Sequence, residues 1–225
     1  MAAQAERVPE SPGLPSNPSS GTLWAIAAAA ALLYCALLGL RPYPGDVVVK
    51  MSMCVVLAFA AWRARLRLYS LALVFSAAGD ALLVSSGDRW FIPGLLAFLT
   101  THVLYIAIFL RDSRLPRTAL RGGRQAAAVC LLLFAIVYST FLFPRLGPLA
   151  VPVVGYIAAI VVMAVLAMRV VPLSVPIGAV LFMTSDSLLA LDKFVWSAAW
   201  IGPLIWITYA GAQLAIARGM LRVKR

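Results

Sequence analysis

Histidine occurs once, at His102, and cysteine three times, at Cys35, Cys54 and Cys130, in a chain of 225 residues. A single imidazole excludes a three-histidine zinc centre. The cysteines lie inside separate apolar runs with no CxxC spacing, so neither a disulfide framework nor a zinc cluster is built from them, and no metal or cofactor is expected. Acidic residues number eight, and charged residues make up only 12% of the chain. No GxSxG elbow and no HExxH pair is present, which removes the serine-elbow hydrolases and the zincins. Long polar stretches are missing as well, apart from the first 21 residues, MAAQAERVPESPGLPSNPSSG, a Pro- and Ser-rich segment that reads as a disordered tail.

What fills the chain instead is apolar. Hydrophobic residues reach 63% and the mean hydropathy is +0.96, far above a soluble domain, where about half the residues are apolar. This is the composition of a membrane protein. The net charge of +11 does not make it a nucleic-acid binder, because the basic residues sit in short gaps between apolar runs rather than on one folded face.

The criterion of about 20 apolar residues per span places eight transmembrane helices, near 22–40, 46–62, 68–86, 90–110, 125–143, 147–168, 173–191 and 196–217. The expected fold is therefore all-α, a polytopic bundle with a disordered tail over 1–21, a membrane domain over 22–218 and a basic tail over 219–225. Lysine and arginine test the count, since cytoplasmic loops collect them. Fourteen of the nineteen fall on the side holding both termini: one in the tail, three in RARLR, five from Arg111 to Arg124, Arg169, and four from Arg218 onward. Both termini are accordingly expected in the cytoplasm, with the loops drawn secondarily to anionic lipid. An internal echo, AAGDALLVSSGDRWF against MTSDSLLALDKFVW, puts Asp80 and Asp186 in matching places of the third and seventh helices, and two four-helix parallel repeats are one reading of it.

Polar residues inside these spans need reasons. A charge at mid-bilayer costs roughly 2.5–3.5 kcal/mol on insertion scales, and an aspartate is too short to reach the interface from there. Asp80 and Asp186 both lie about 18–20 Å from the cytoplasmic face at about 1.5 Å per residue, so they are expected to meet. His102 and Tyr105 share a face of the fourth helix, and Tyr209 and Gln213 a face of the eighth. Tyr105, Tyr209 and Gln213 are each either an interhelical hydrogen-bonding residue or a substrate contact, and His102 is either a satisfied packing residue or a functional one. Lys50 either snorkels or pairs with an aspartate. Two carboxyl groups in one dry pocket would share a proton and titrate as a unit. Such a pair can protonate a weakly basic carbon or oxygen, stabilise the resulting oxocarbenium and direct water onto it.

The segments FSAAGDALL, FIPGLLAFLTTHVLYIAIF, GAVLFMTSDSLLAL and TYAGAQ, together with the lysine of VVVKMSMCVV, resemble the signature segments of the YhhN-like membrane family, the lysoplasmalogenases. The similarity runs from about residue 22 to 218. One departure is that the family often has a proline soon after that lysine, whereas this chain has none before Pro93. The resemblance implies an eight-helix hydrolase that cleaves the vinyl ether of lysoplasmalogens to a fatty aldehyde and glycerophosphoethanolamine or glycerophosphocholine. Asp80 and Asp186 would be the essential acids, and Lys50, His102, Tyr105, Tyr209 and Gln213 would line the substrate's polar end. The partners are then the lipid substrate and membrane lipids, with no nucleic acid and with a homodimer left open. The membrane is the endoplasmic reticulum for a eukaryotic chain and the inner membrane for a bacterial one. Three readings compete: a carrier of protons or lipids using midplane acids, a lipid-binding scaffold without turnover, and a hydrolase of another lyso-ether or lyso-ester lipid.

Overall fold

Apolar runs without internal water must satisfy their own backbone, and in this composition they do so as helices. The computed structural model of the chain describes residues 18–84 and 88–222. Eight long helices follow one another: α1 (Pro18–Leu37), α2 (Asp46–Arg63), α3 (Arg67–Val84), α4 (Phe91–Arg111), α5 (Gly123–Leu142), α6 (Ala150–Ala167), α7 (Ser174–Phe194) and α8 (Ile201–Arg222). Among the described residues there is no β-strand, only an isolated antiparallel bridge between Arg117 and Val170. Seven of the helices are long and apolar enough to cross a membrane, and the chain is a multi-pass membrane protein.

The remaining helix, α2, falls short because its 18 residues include Asp46, Lys50 and Arg63. Two of these sit at its ends. Only Lys50 lies inside, and α2 nevertheless packs between α1 and α3 like its neighbours. The outer surface is apolar, with Leu32 71% and Val151 84% exposed, which suits lipid rather than water.

Of the tail expected over 1–21, residues 1–17 lie outside the described residues, and from Pro18 the chain is helical. The end of the third expected span, at 85 and 86, and the last three residues of the basic tail also lie outside them, while 219–222 complete α8. The eighth helix begins at Ile201 rather than 196. Trp196 and Trp200, ring centroids 5.4 Å apart, belong to the connection before it, where tryptophan suits a membrane boundary.

The bundle is closed by small residues and indoles. Helices α7 and α8 approach closely at Gly178, where an added Cβ would lie 2.7 Å from the Ala212 carbonyl oxygen and 3.0 Å from the Ile216 nitrogen. Those neighbours are backbone and cannot swing away. Helix α1 is tied to α8 twice, the Trp24 indole donating to the Leu214 carbonyl and the Trp206 indole to the Ala31 carbonyl, each at 3.0 Å. Helix α5 is held differently. At its N-terminal end Arg124 donates to the carbonyls of Met168 (2.7 Å), Val170 (2.6 Å) and Val171 (3.1 Å). Farther along, the Tyr138 hydroxyl donates to the Ser187 carbonyl of α7 at 2.5 Å.

Candidate active site

The out-of-place polar residues gather into two buried clusters. The first forms around Asp80, which is 1% exposed. Lys50 of α2 brings its Nζ to 3.7 Å from Asp80 Oδ1, so the lysine has an acid partner rather than only an interface to reach. Tyr209 of α8 donates to Asp80 Oδ2 at 2.8 Å, and its hydroxyl lies 3.1 Å from the Cys54 sulfur. Gln213, one turn farther on, donates from Nε2 to the Ser76 hydroxyl at 2.9 Å and accepts from the Tyr105 hydroxyl at 2.8 Å. The Ser76 and Thr101 hydroxyls are 3.2 Å apart. The amide of Gln213 thus has partners for both its oxygen and its nitrogen, as a buried amide requires.

The second cluster forms around Asp186 of α7. Tyr156 of α6 donates its hydroxyl to Asp186 Oδ2. His102 of α4 places Nε2 3.0 Å from the Tyr156 oxygen and 3.2 Å from Asp186 Oδ2. His102 Nδ1 is buried without a hydrogen-bond partner. A bare lone pair is less costly to bury unpaired than an N–H would be, and Nε2 faces two oxygens, so a proton is better placed on Nε2 than on Nδ1.

The two carboxylates differ in access. Asp186 has a side chain 11% exposed, against 1% for Asp80. It opens with Tyr156 on an apolar cleft of about 40 Å³ lined by Leu95, Phe134, Tyr138, Ile157, Ala190 and Phe194 among others, and Asp80 is not part of that lining. Among the described residues no hydrogen bond joins the two acids and no hydrogen-bond partner is common to both. Phe182 of α7 packs against one partner of each acid, its ring centroid 4.8 Å from that of His102 and 5.5 Å from that of Tyr209. Phe98 packs edge-on beside Phe182 at 6.2 Å, admitted by Gly79, where a Cβ would meet its ring at 2.6 Å.

Of the residues singled out in the sequence, Lys50, Tyr105, Tyr209 and Gln213 therefore gather at Asp80, whereas His102 gathers at Asp186. The two acids expected to meet face to face have separate hydrogen-bond partners, and Phe182 packs against one partner of each. Tyr156 escaped the sequence reading, although it is the only hydroxyl-bearing residue within the apolar run of α6, AVPVVGYIAAIVVMAVLA, and that isolation was the available signal. Cys54, Ser76 and Thr101 also escaped, being ordinary small residues of packed helices.

The clusters follow one plan. Asp80 of α3 takes partners from α2 and α8, and Asp186 of α7 takes partners from α6 and α4. Each acid thus uses the helix before it and the last helix of the other half. Among the described residues no three His, Cys, Asp or Glu side chains gather as a metal-binding set.

The sequence pattern of the YhhN family matches residues 45–220, and the chain belongs to that family. A protein of Mycobacterium tuberculosis named lysoplasmalogenase is 33% identical over 218 residues, covering 87% of this chain and 82% of that protein. Two human proteins are similar over less of their length. Lysoplasmalogenase TMEM86A is 35% identical over 156 residues, covering 64% of this chain and 61% of that one, and lysoplasmalogenase TMEM86B is 34% identical over 157 residues, covering 67% and 62%. No solved structure matches the chain.

Proposed function

We propose that this YhhN-family protein is a lysoplasmalogenase, an ether hydrolase that adds water across the vinyl ether of a lysoplasmalogen within the membrane. The products are a fatty aldehyde and glycerophosphoethanolamine or glycerophosphocholine. The observation that carries this reading is a carboxyl group, Asp186, bonded by a tyrosine at an apolar cleft in a membrane domain whose relatives are named for this activity.

The chemistry follows from the substrate. The enol-ether carbon remote from oxygen is the basic one, so protonated Asp186 delivers its proton there and the neighbouring carbon becomes an oxocarbenium. The carboxylate left behind faces that cation and stabilises it at close range. Water adds to the cationic carbon and returns a proton to the carboxylate. The resulting hemiacetal collapses, the glycerol oxygen leaving as an alcohol and the chain as an aldehyde. Tyr156, by donating to Asp186 Oδ2, fixes which carboxyl oxygen is free to carry the proton, and His102 holds Tyr156 and Asp186 in register. Asp80 is the second essential acid of this reading. Ion-paired with Lys50 and bonded by Tyr209, it acts on the reaction through its field and through the positions of α3 and α8. The excess of basic residues on the side of the termini supports a cytoplasmic location for both ends.

Purified protein in detergent, given a lysoplasmalogen, is expected to release aldehyde. Asp186→Asn is expected to lower that rate at least about 10³-fold, within the range general acids contribute, and Asp80→Asn to lower it severely with the protein still inserted. A carrier would release no aldehyde in detergent and would act only in sealed vesicles, so aldehyde-free wild-type protein overturns the assignment.

A further inference from the structure

The two halves hold their first helices differently. Helix α1 is bound to α8 by two indole hydrogen bonds, and the corresponding helix of the second half, α5, has no such ties among the described residues. Arg124 grips the α6–α7 connection at the N-terminal end of α5 through three carbonyls. Toward the other end the contact with α7 includes one hydroxyl bond, Tyr138 to the Ser187 carbonyl. The cleft that reaches Asp186 is lined by these two helices together with α4 and α6. Its present volume of about 40 Å³ holds about two or three waters, too little for a hydrocarbon chain, so an occupant must part α5 from α7.

We infer that the hydrocarbon chain of the lysolipid enters sideways between α5 and α7, with α5 as the movable wall pivoting at Arg124, and with the polar head at the end of the bundle away from the termini. This rests on the hydrolase reading and adds the seat and direction of its substrate. The head is placed by the extent of the cleft, whose lining reaches the first residue of α4, Phe91, and the last of α7, Phe194, the two rings meeting edge-on at 5.6 Å. Phe194 follows Asp186 by eight residues, about 12 Å along the helix at 1.5 Å per residue, which brings a carbon a few bonds beyond a glycerophosphate to the depth of the acid. The chain beyond it then passes Phe134 and Tyr138 into the bilayer, which these helices already face.

The test fills the slot. Ala135→Trp on α5 and Ala190→Trp on α7 are expected to lower kcat/KM at least about tenfold for a long-chain lysoplasmalogen while sparing a short-chain vinyl ether. Val137→Trp, on the 69% exposed face of α5, is expected to change neither. A second readout does not depend on turnover. In a background carrying Cys35→Ser and Cys130→Ser, Ala190→Cys is expected to react with a lipid-soluble maleimide and to be protected by a lysolipid with an alkyl ether, which is not hydrolysed. Loss of activity that ignores chain length, together with unprotected labelling, overturns the inference. Protection without aldehyde release from wild type leaves the slot standing and overturns the hydrolase reading instead.

Discussion

A single hydroxyl carries the sharpest local prediction. Tyr156→Phe removes the donor to Asp186 Oδ2 and leaves the ring in place, so kcat for aldehyde release is expected to fall about 10- to 100-fold, the equivalent of a hydrogen bond to a charged group. The variant should keep its thermal stability within about 1.5 kcal/mol, and steady-state kinetics alongside thermal unfolding checks both. Gly178→Ala is the opposite case. Its added methyl would press on the Ala212 carbonyl oxygen at 2.7 Å, so α7 and α8 must separate, and a loss of about 1–3 kcal/mol is expected from overpacking, read as a lowered unfolding temperature in detergent. At this scale the sequence was legible wherever a polar residue stood alone in grease. Asp80, Asp186, Lys50, His102, Tyr105, Tyr209 and Gln213 are all in buried or half-buried polar contacts. Their grouping was not legible, because residue spacing reports depth along a helix and says nothing of azimuth between helices. Phe98 and Phe182 read as ordinary core, yet Phe182 packs against His102 and Tyr209, one partner of each acid.

Helices were the most legible level. A run of about 20 apolar residues has one way to satisfy its backbone in lipid, and seven of the eight expected spans begin within about four residues of the observed helices. The later start of α8 has a physical cause: Trp196 and Trp200 are hydrophobic enough to extend the run, but as amphipathic rings they meet edge-on in the connection instead. Between α2 and α3 the chain turns at Arg65, whose φ of +55° is a left-handed conformation usually left to glycine. The bonds from Leu66 N to the Ala61 carbonyl and from Arg65 N to the Trp62 carbonyl, each at 2.9 Å, make this a Schellman C-cap with arginine in the glycine position. Arg65→Gly is therefore expected to raise stability by about 1 kcal/mol, measured as a higher unfolding temperature. Retention of arginine there agrees with the use of RARLR as a basic loop, where charge sets which way the protein lies in the membrane.

For the molecule as a whole, charge asymmetry and the echo around the two aspartates were visible in the letters, and the partner plan of the two clusters follows the echo helix for helix. What the letters did not reveal is that the halves are fastened unequally. Trp24 and Trp206 are two tryptophans among six, and nothing in their spacing announces that both indoles reach across to tie α1 to α8. Trp24→Phe is expected to cut one of those ties, so that amide exchange in α1 rises toward that of α5 while aldehyde release stays close to wild type. Exchange measured helix by helix in detergent distinguishes this from general loosening.

The reach of the cleft to Phe91 and Phe194, at one end of the bundle, also bears on supply. A bilayer delivers lipids already oriented, and an enzyme that opens toward one face harvests only molecules whose heads lie on that face. Lysolipid generated on the opposite face would have to be scrambled across before it could be cut, so in an intact vesicle the pace of aldehyde formation would report flipping as much as catalysis.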